Sequence, residues 1–353
     1  MSDDAPSGFP PETGHDPRRP PLSVLDLATV AKGTTAAEAL GDTVRIAQVA
    51  ESLGYTRLWV AEHHGMASVA SSAPAVLIAH LACATSTIRV GSGGVMLPNH
   101  SPLVIAEQFA TLEALHPGRI DLGLGRAPGS DPATARALRR NGGGDADSFP
   151  QDVVELINYL IDSDGPPTQP APMPGRGYLP QVWILGSSLF GAQLAGLLGL
   201  PFAYAYHFSA GMVDEALARY RANFRPSYAL DAPHVMVTAP VLCADSEEEA
   251  RYLAGPSALT MLQLRTGRPG PVVTPEEAAA YPFTPQERAI VADATANHIV
   301  GDPAQVRRGL DALVERTGAD EIMLSTRAHS FAVRARSLTL TSEVWSDVPV
   351  SLG

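Results

Sequence analysis

Four short motifs hold the residue types most able to do chemistry. Glu62-His63-His64 sets a carboxylate beside two imidazoles. Histidine titrates near neutrality and can act as a general acid or base. On extended chain, neighbouring side chains point to opposite sides, so at most one of the two histidines faces a common site. The other reading of His63 is a hydrogen-bonded structural histidine. A metal site does not fit, because no third ligand stands at a recognisable spacing and His-Glu-x-x-His is absent. Gly91-Ser92-Gly93-Gly94 places three glycines in four residues. Such a run weakens a strand and marks a close backbone approach, either by a flat ring or by a neighbouring strand. In Gly125-Arg126 an arginine follows a residue with no side chain. It can hold a phosphate or an anionic ring, or lie on the surface. Gly186-Ser187-Ser188 stands where an apolar run turns into a helix pattern. Free N–H groups and hydroxyls there either cradle a phosphate or cap the helix. It is not a Walker loop, since the Gly-Lys-Ser/Thr ending is missing. Together the motifs suit a nucleotide-like cofactor carrying one phosphate.

These motifs end short apolar, β-branched runs, which the pattern places at 22–28, 57–62, 88–97, 119–125, 182–188, 201–208, 235–244 and 321–325. Near-continuous apolar strands imply burial on both faces, as in a parallel sheet. Helical periodicity separates them. Leu40, Val44, Ala47, Ala50 and Leu53 follow i, i+3, i+4 spacing, and other helices are expected near 102–116, 151–162, 189–199, 211–223, 246–264, 303–317 and 329–345. Gly54, Gly199 and Gly318 each stand between a helix and a strand, where a left-handed residue closes the helix. Eight such units predict a single (β/α)8 TIM barrel with insertions. An open doubly wound sheet is disfavoured, because no G-x-G-x-x-G follows the first strand. In a barrel the site lies at the C-terminal strand ends, so the four motifs, with Asp26 and His207, share one mouth.

The 353 residues are expected to divide into a disordered tail over 1–19 and one barrel domain over 20–353. Residues 163–180 and 265–287 break the rhythm and read as insertions, the second as a candidate lid. The net charge of −12 argues against nucleic-acid and anionic-membrane partners. Cys83 and Cys243 read as reduced core residues, and the acidic start without an apolar stretch reads as a cytoplasmic chain.

The runs WVAEHH (59–64), IRVGSGGVMLPNHSPLVIAEQFATLEALHPGRIDLGLGRAPG (88–129) and VWILGSS (182–188) are specific. Over about residues 20–345 the chain resembles the bacterial-luciferase-like FMN-dependent monooxygenases, closest to their biosynthetic-cluster branch. The resemblance implies reduced FMN supplied by a separate NAD(P)H:flavin reductase, and dioxygen used to oxygenate a small organic substrate, such as a polyketide-like secondary-metabolite intermediate. It also implies a homodimer, for which the apolar helix at 72–85 is the expected contact. By the same resemblance His63 supports turnover, with Glu62 beside it. Gly93-Gly94 matches a dipeptide with a cis bond against the flavin. Arg126 and the Gly186-Ser187-Ser188 turn match the phosphate site. Gly125 replaces a reactive cysteine of the light-emitting enzymes, and Phe149 falls near a second phosphate-side arginine. The alternatives are a deazaflavin (F420)-dependent hydride-transfer enzyme and a non-catalytic flavin-binding partner subunit. Retention of His63, Arg126 and the serine turn argues against the latter.

Overall fold

Strands that are covered on both faces must be apolar in both directions, and the strand segments here are. The computed structural model describes residues 19–127, 132–138, 147–161 and 170–346. Its strands are β1 (Leu22–Asp26), β2 (Arg57–Val60), β3 (Arg89–Met96), β4 (Ile120–Gly125), β5 (Gln181–Gly186), β6 (Phe202–Tyr204), β7 (Val235–Cys243), β8 (Ile299–Gly301) and β9 (Glu321–Ser325). The helices are α1 (Ala36–Ser52), α2 (Pro74–Ala84), α3 (Pro102–Leu115), α4 (Pro132–Leu138), α5 (Phe149–Leu160), α6 (Leu189–Leu198), α7 (Val213–Asn223), α8 (Glu247–Arg265), α9 (Pro275–Ala280), α10 (Pro285–Ala294), α11 (Pro303–Thr317) and α12 (Phe331–Ser346).

All strand pairings within the sheet are parallel. β1 pairs with β2 and β9, and β7 pairs with β6 and β9, which closes eight strands into a (β/α)8 barrel. The ninth strand, β8, is absent from the sequence expectation. It pairs with the outer end of β7 at Val241–Cys243, beyond the stretch Met236–Pro240 that pairs with β9. Three residues are too few to show a period, so only the protruding end of β7 reveals it.

Large side chains fill the barrel. Trp59 and Trp183 meet edge to face at 5.2 Å, packed with Leu25, Met236 and Met323. The N-terminal end is closed by charge. Arg57 Nε donates to Glu321 Oε1 at 2.8 Å and Arg57 Nη1 to Asp121 Oδ2 at 2.8 Å, while Arg89 pairs with Asp121 at 2.6 Å. Burial pushes the Glu321 carboxyl up, but Arg57 and His234 outweigh it and bring it down to about 2. These charged residues begin strands that read as apolar, and the alternation aims them inward, at one another.

The helix ends follow local rules. Gly199 (φ +64°) and Gly318 (φ +55°) close α6 and α11 in the left-handed conformation, as their positions predict. The segment 265–287 is not simply loop. Thr274 with Glu277 and Thr284 with Glu287 form capping boxes at α9 and α10, with prolines in the first turn. Ala278 packs on Leu259 and Leu262 of α8. The Val272 main chain is tied to the β1 loop, with Lys32 N donating to Val272 O at 2.7 Å and Val272 N to Val30 O at 3.1 Å. Asp26, at the end of β1, is spent on structure: it accepts from Ala28 N, Thr43 Oγ1 and Arg334 Nη1. Cys243 is buried, but Cys83 lies exposed on α2 and is not a core residue. The tail over 1–18, the Pro128-Gly129 turn and residues 162–169 of the first insertion lie outside the described residues.

Candidate active site

The loop after β2 separates the two histidines. Ser71 Oγ donates to Ala61 O at 2.6 Å and His63 N donates to Ser71 O at 3.0 Å, which fixes the turn. Glu62, expected beside His63 at the mouth, is fully buried. Its Oε1 accepts from His64 Nε2 and His100 Nε2, each at 2.9 Å, and its Oε2 from Met96 N at 2.9 Å. Burial alone raises the Glu62 carboxyl, but the bonds from His100, His64 and the Met96 N–H hold it below the usual carboxylate range. Glu62 therefore positions His64 and ties the β2 loop to the end of β3. His63 turns the other way. It lines a compartment with Leu27, Thr260, Val272 and Arg327.

At β3 the Gly93–Gly94 peptide bond is cis, inside a register shift between Ser92 and Val95 against β4. A Cβ on Gly94 would stand 2.7 Å from Gly123 O, and one on Gly93 2.9 Å from Leu25 Cδ1. The neighbouring backbone by itself thus requires glycine at position 94, whereas at position 93 the crowding comes from the Leu25 and Trp59 side chains. Gly125 differs, since a Cβ there would meet the flexible Met96 side chain at 3.0 Å.

Arg126 and the serine turn come together. Arg126 is exposed at the mouth, with its guanidinium over the Phe190 ring at 4.3 Å from the centroid. Phe190 is the second residue of α6, and Ser188 is the N-cap. The Ser188 side chain makes no capping hydrogen bond. A serine at that position normally accepts from the first turn. Here the hydroxyl, the first N–H groups of α6 and the Arg126 guanidinium share one corner. That donor set fits the phosphate of a flavin mononucleotide.

A further group of polar side chains, with Arg327 as its cation, faces the same mouth. His207, Met261, His298, Ser325 and Arg327 line a second, partly open compartment. Ser257 and Arg327 border this compartment and that of His63. Burial, then the charge of Arg327, pulls His207 down to about 3 and His298 to about 4. Burial also lowers Arg327 from the ordinary guanidinium value.

A family model described as luciferase-like monooxygenase matches residues 21–321. The chain belongs to that family. It is a flavin-dependent monooxygenase by class. It is 48% identical over 323 residues to a luciferase-like monooxygenase of Escherichia coli strain K12, covering 92% of this chain and 96% of that one. It is 37% identical over 266 residues to the N-acetyl-S-alkylcysteine monooxygenase of Bacillus subtilis, covering 74% and 78%. The crystal structure of apo-MsnO8 superposes with a TM-score of 0.84 at 36% identity, covering 93% and 98%.

Within this luciferase-like monooxygenase, Phe149 is a buried core residue, 1% exposed, and cannot replace a phosphate-side arginine. Sequence reasoning set His207 at the mouth without a role and passed over His298 and Arg327. A signal for Arg327 existed, since it follows the end of β9 by two residues. His298 precedes β8, the strand that periodicity could not show.

Proposed function

We propose that this chain is the oxygenating component of a two-component FMN monooxygenase. The observation that carries the reading is the corner formed by Arg126, Phe190 and the uncommitted N-cap Ser188. Arg126 and Ser188 hold the phosphate, while Gly186 and Ser187 shape the turn around it. Gly93 and Gly94 present bare backbone to the ring. Reduced FMN, when bound there, supplies the electrons that activate dioxygen. His63 holds or moves a proton at the reacting face, and Glu62 acts as a positioning residue through the β2 loop. The walls around His63, from the β1 and β2 loops, α8 and Val272, exclude water.

The partners follow from this reading. A distant relative, 25% identical over 304 residues, is named the oxygenase component of a flavin-dependent trigonelline monooxygenase of Acinetobacter baylyi. This supports a separate NAD(P)H:flavin reductase. The substrate is a small organic molecule, with a polyketide-like secondary-metabolite intermediate as our assignment. Residues 20–353 work as one catalytic unit in the cytoplasm. Among the described residues no helix is long and apolar enough to cross a membrane. Val76 on α2 is 73% exposed and Leu115 on α3 is 66% exposed, which supports a homodimer packed through these helices.

The test is to titrate the purified chain anaerobically with reduced FMN and with reduced F420, then admit oxygen. Tight FMN binding with oxygen consumption supports the reading. Binding of F420 alone, without oxygen consumption, overturns it in favour of hydride transfer.

A further inference from the structure

Buried arginines in this fold come with carboxylates. Arg57 has Asp121 and Glu321, and Arg334 has Asp26 at 2.7 Å and Asp42 at 3.4 Å. Arg327 does not. Among the described residues no carboxylate lies within ion-pair distance of it, and its hydrogen bond goes from Nη1 to Met261 Sδ at 3.7 Å. Among the described residues no aspartate or glutamate lines either compartment that it borders. A thioether is a weak acceptor and leaves most of the guanidinium's five donors unused. A recessed charge without a counter-ion is costly, so a fold that retains one usually brings it a partner.

We propose that Arg327, flanked by His207 and His298, is an anion subsite that receives a carboxylate on the substrate. This rests on the mouth being the reaction chamber of a flavin monooxygenase. The planar fork of the guanidinium matches a carboxylate with two parallel hydrogen bonds. The histidines add neutral ring nitrogens beside the guanidinium. His207 Nδ1 faces Thr238 O at 3.3 Å, so that nitrogen carries the proton and Nε2 is left for other use. Burial first, and the Arg327 charge second, hold both rings below their ordinary value, and an arriving anion offsets the Arg327 part. Placement follows as well. Arg327 stands at the boundary between two compartments, one of which His63 lines beside the apolar Leu27, Val69 and Val272. A substrate held by its carboxylate at Arg327 extends its apolar part toward His63.

The experiment uses the full chain with FMN bound, so that the phosphate corner is filled. Benzoate and its neutral twin benzamide are titrated calorimetrically. Wild type is expected to prefer benzoate by about tenfold or more, equivalent to ~1.4 kcal/mol. Arg327→Met is expected to lose that preference while binding FMN within about twofold of wild type. Arg327→Lys keeps the charge but not the fork, and an intermediate preference is expected. If Arg327→Met fails to fold, the wild-type comparison and the lysine variant decide. A wild type without preference for benzoate overturns the proposal, as does full preference in Arg327→Met. Loss of FMN binding in Arg327→Met assigns the residue to the cofactor and also overturns it. Repeating the titration without FMN on Arg126→Ala, whose phosphate corner has lost its cation, keeps the two readings apart. Benzoate preference with no FMN binding sinks the cofactor reading and spares the subsite.

Discussion

Arg126 follows β4 and Phe190 lies in the first turn of α6, and the arginine's guanidinium lies 4.3 Å from the centre of the phenylalanine ring. The contact brings the chain after β4 to the start of α6, beside the N-cap Ser188. An exposed cation over an aromatic ring contributes only ~0.5–1 kcal/mol, so its main effect is to hold the guanidinium in place.

Removing that guanidinium should separate two ligands. A charge-assisted hydrogen bond is worth ~1.5–3 kcal/mol, so Arg126→Ala should weaken reduced-FMN binding by roughly ten- to a hundredfold. Riboflavin, which has no phosphate, should lose little. Equal losses, measured by fluorescence titration of both ligands, would move Arg126 to the ring or the substrate.

The two histidines of the motif should behave differently. His63 lines a compartment, whereas His64 is held by the buried Glu62. His63→Ala should keep flavin binding but divert oxygen to hydrogen peroxide. His64→Ala should act mainly on stability, by about 1–3 kcal/mol, because it strips a donor from a buried carboxylate. Product and peroxide per reduced flavin consumed, with the melting temperature of each variant, check this. Uncoupling in His64→Ala alone would exchange the assignments.

The barrel floor should be acid-sensitive. Glu321 falls from an ordinary 4.5 to about 2, so it binds its proton more weakly in the fold than in the open chain. Its contribution is complete above about pH 4.5 and fades as the pH falls toward 2. Arg57→Leu should cost about 3–5 kcal/mol by stranding that carboxylate, and adding Glu321→Leu should restore part of the loss. Denaturant midpoints at pH 7 and pH 4 give both readings. A double variant no more stable than Arg57→Leu would refute the pairing.

The mouth histidines should add a second acid-dependent step, nearer neutrality. His207 and His298 are lowered from 6.5 to about 3 and about 4. The unfolded chain therefore takes up protons below pH 6.5 that the fold refuses. Stability present above 6.5 should decline as the pH drops toward 4. His207→Asn/His298→Asn should flatten the melting temperature between pH 7 and pH 5. An unchanged slope would show that the rings protonate freely in the fold.

What this sequence settled alone is what local physics controls. Apolar runs alternating with helical periods, and glycines able to adopt positive φ after α6 and α11, are properties of a few adjacent residues, so the barrel and the order of its units were legible. Strand ends then named most of the mouth. The capping boxes at Thr274 and Thr284 were equally local, but the reading of 265–287 as an insertion passed over them. The remainder depended on closure of the barrel. Only there do His64 and His100 converge on Glu62, Arg126 reach Phe190 and Arg57 meet Glu321. Only the folded chain shows that Arg327 stands without a carboxylate among the described residues, because desolvation and charge pairing are set by residues distant in sequence, and no spacing along the chain encodes them.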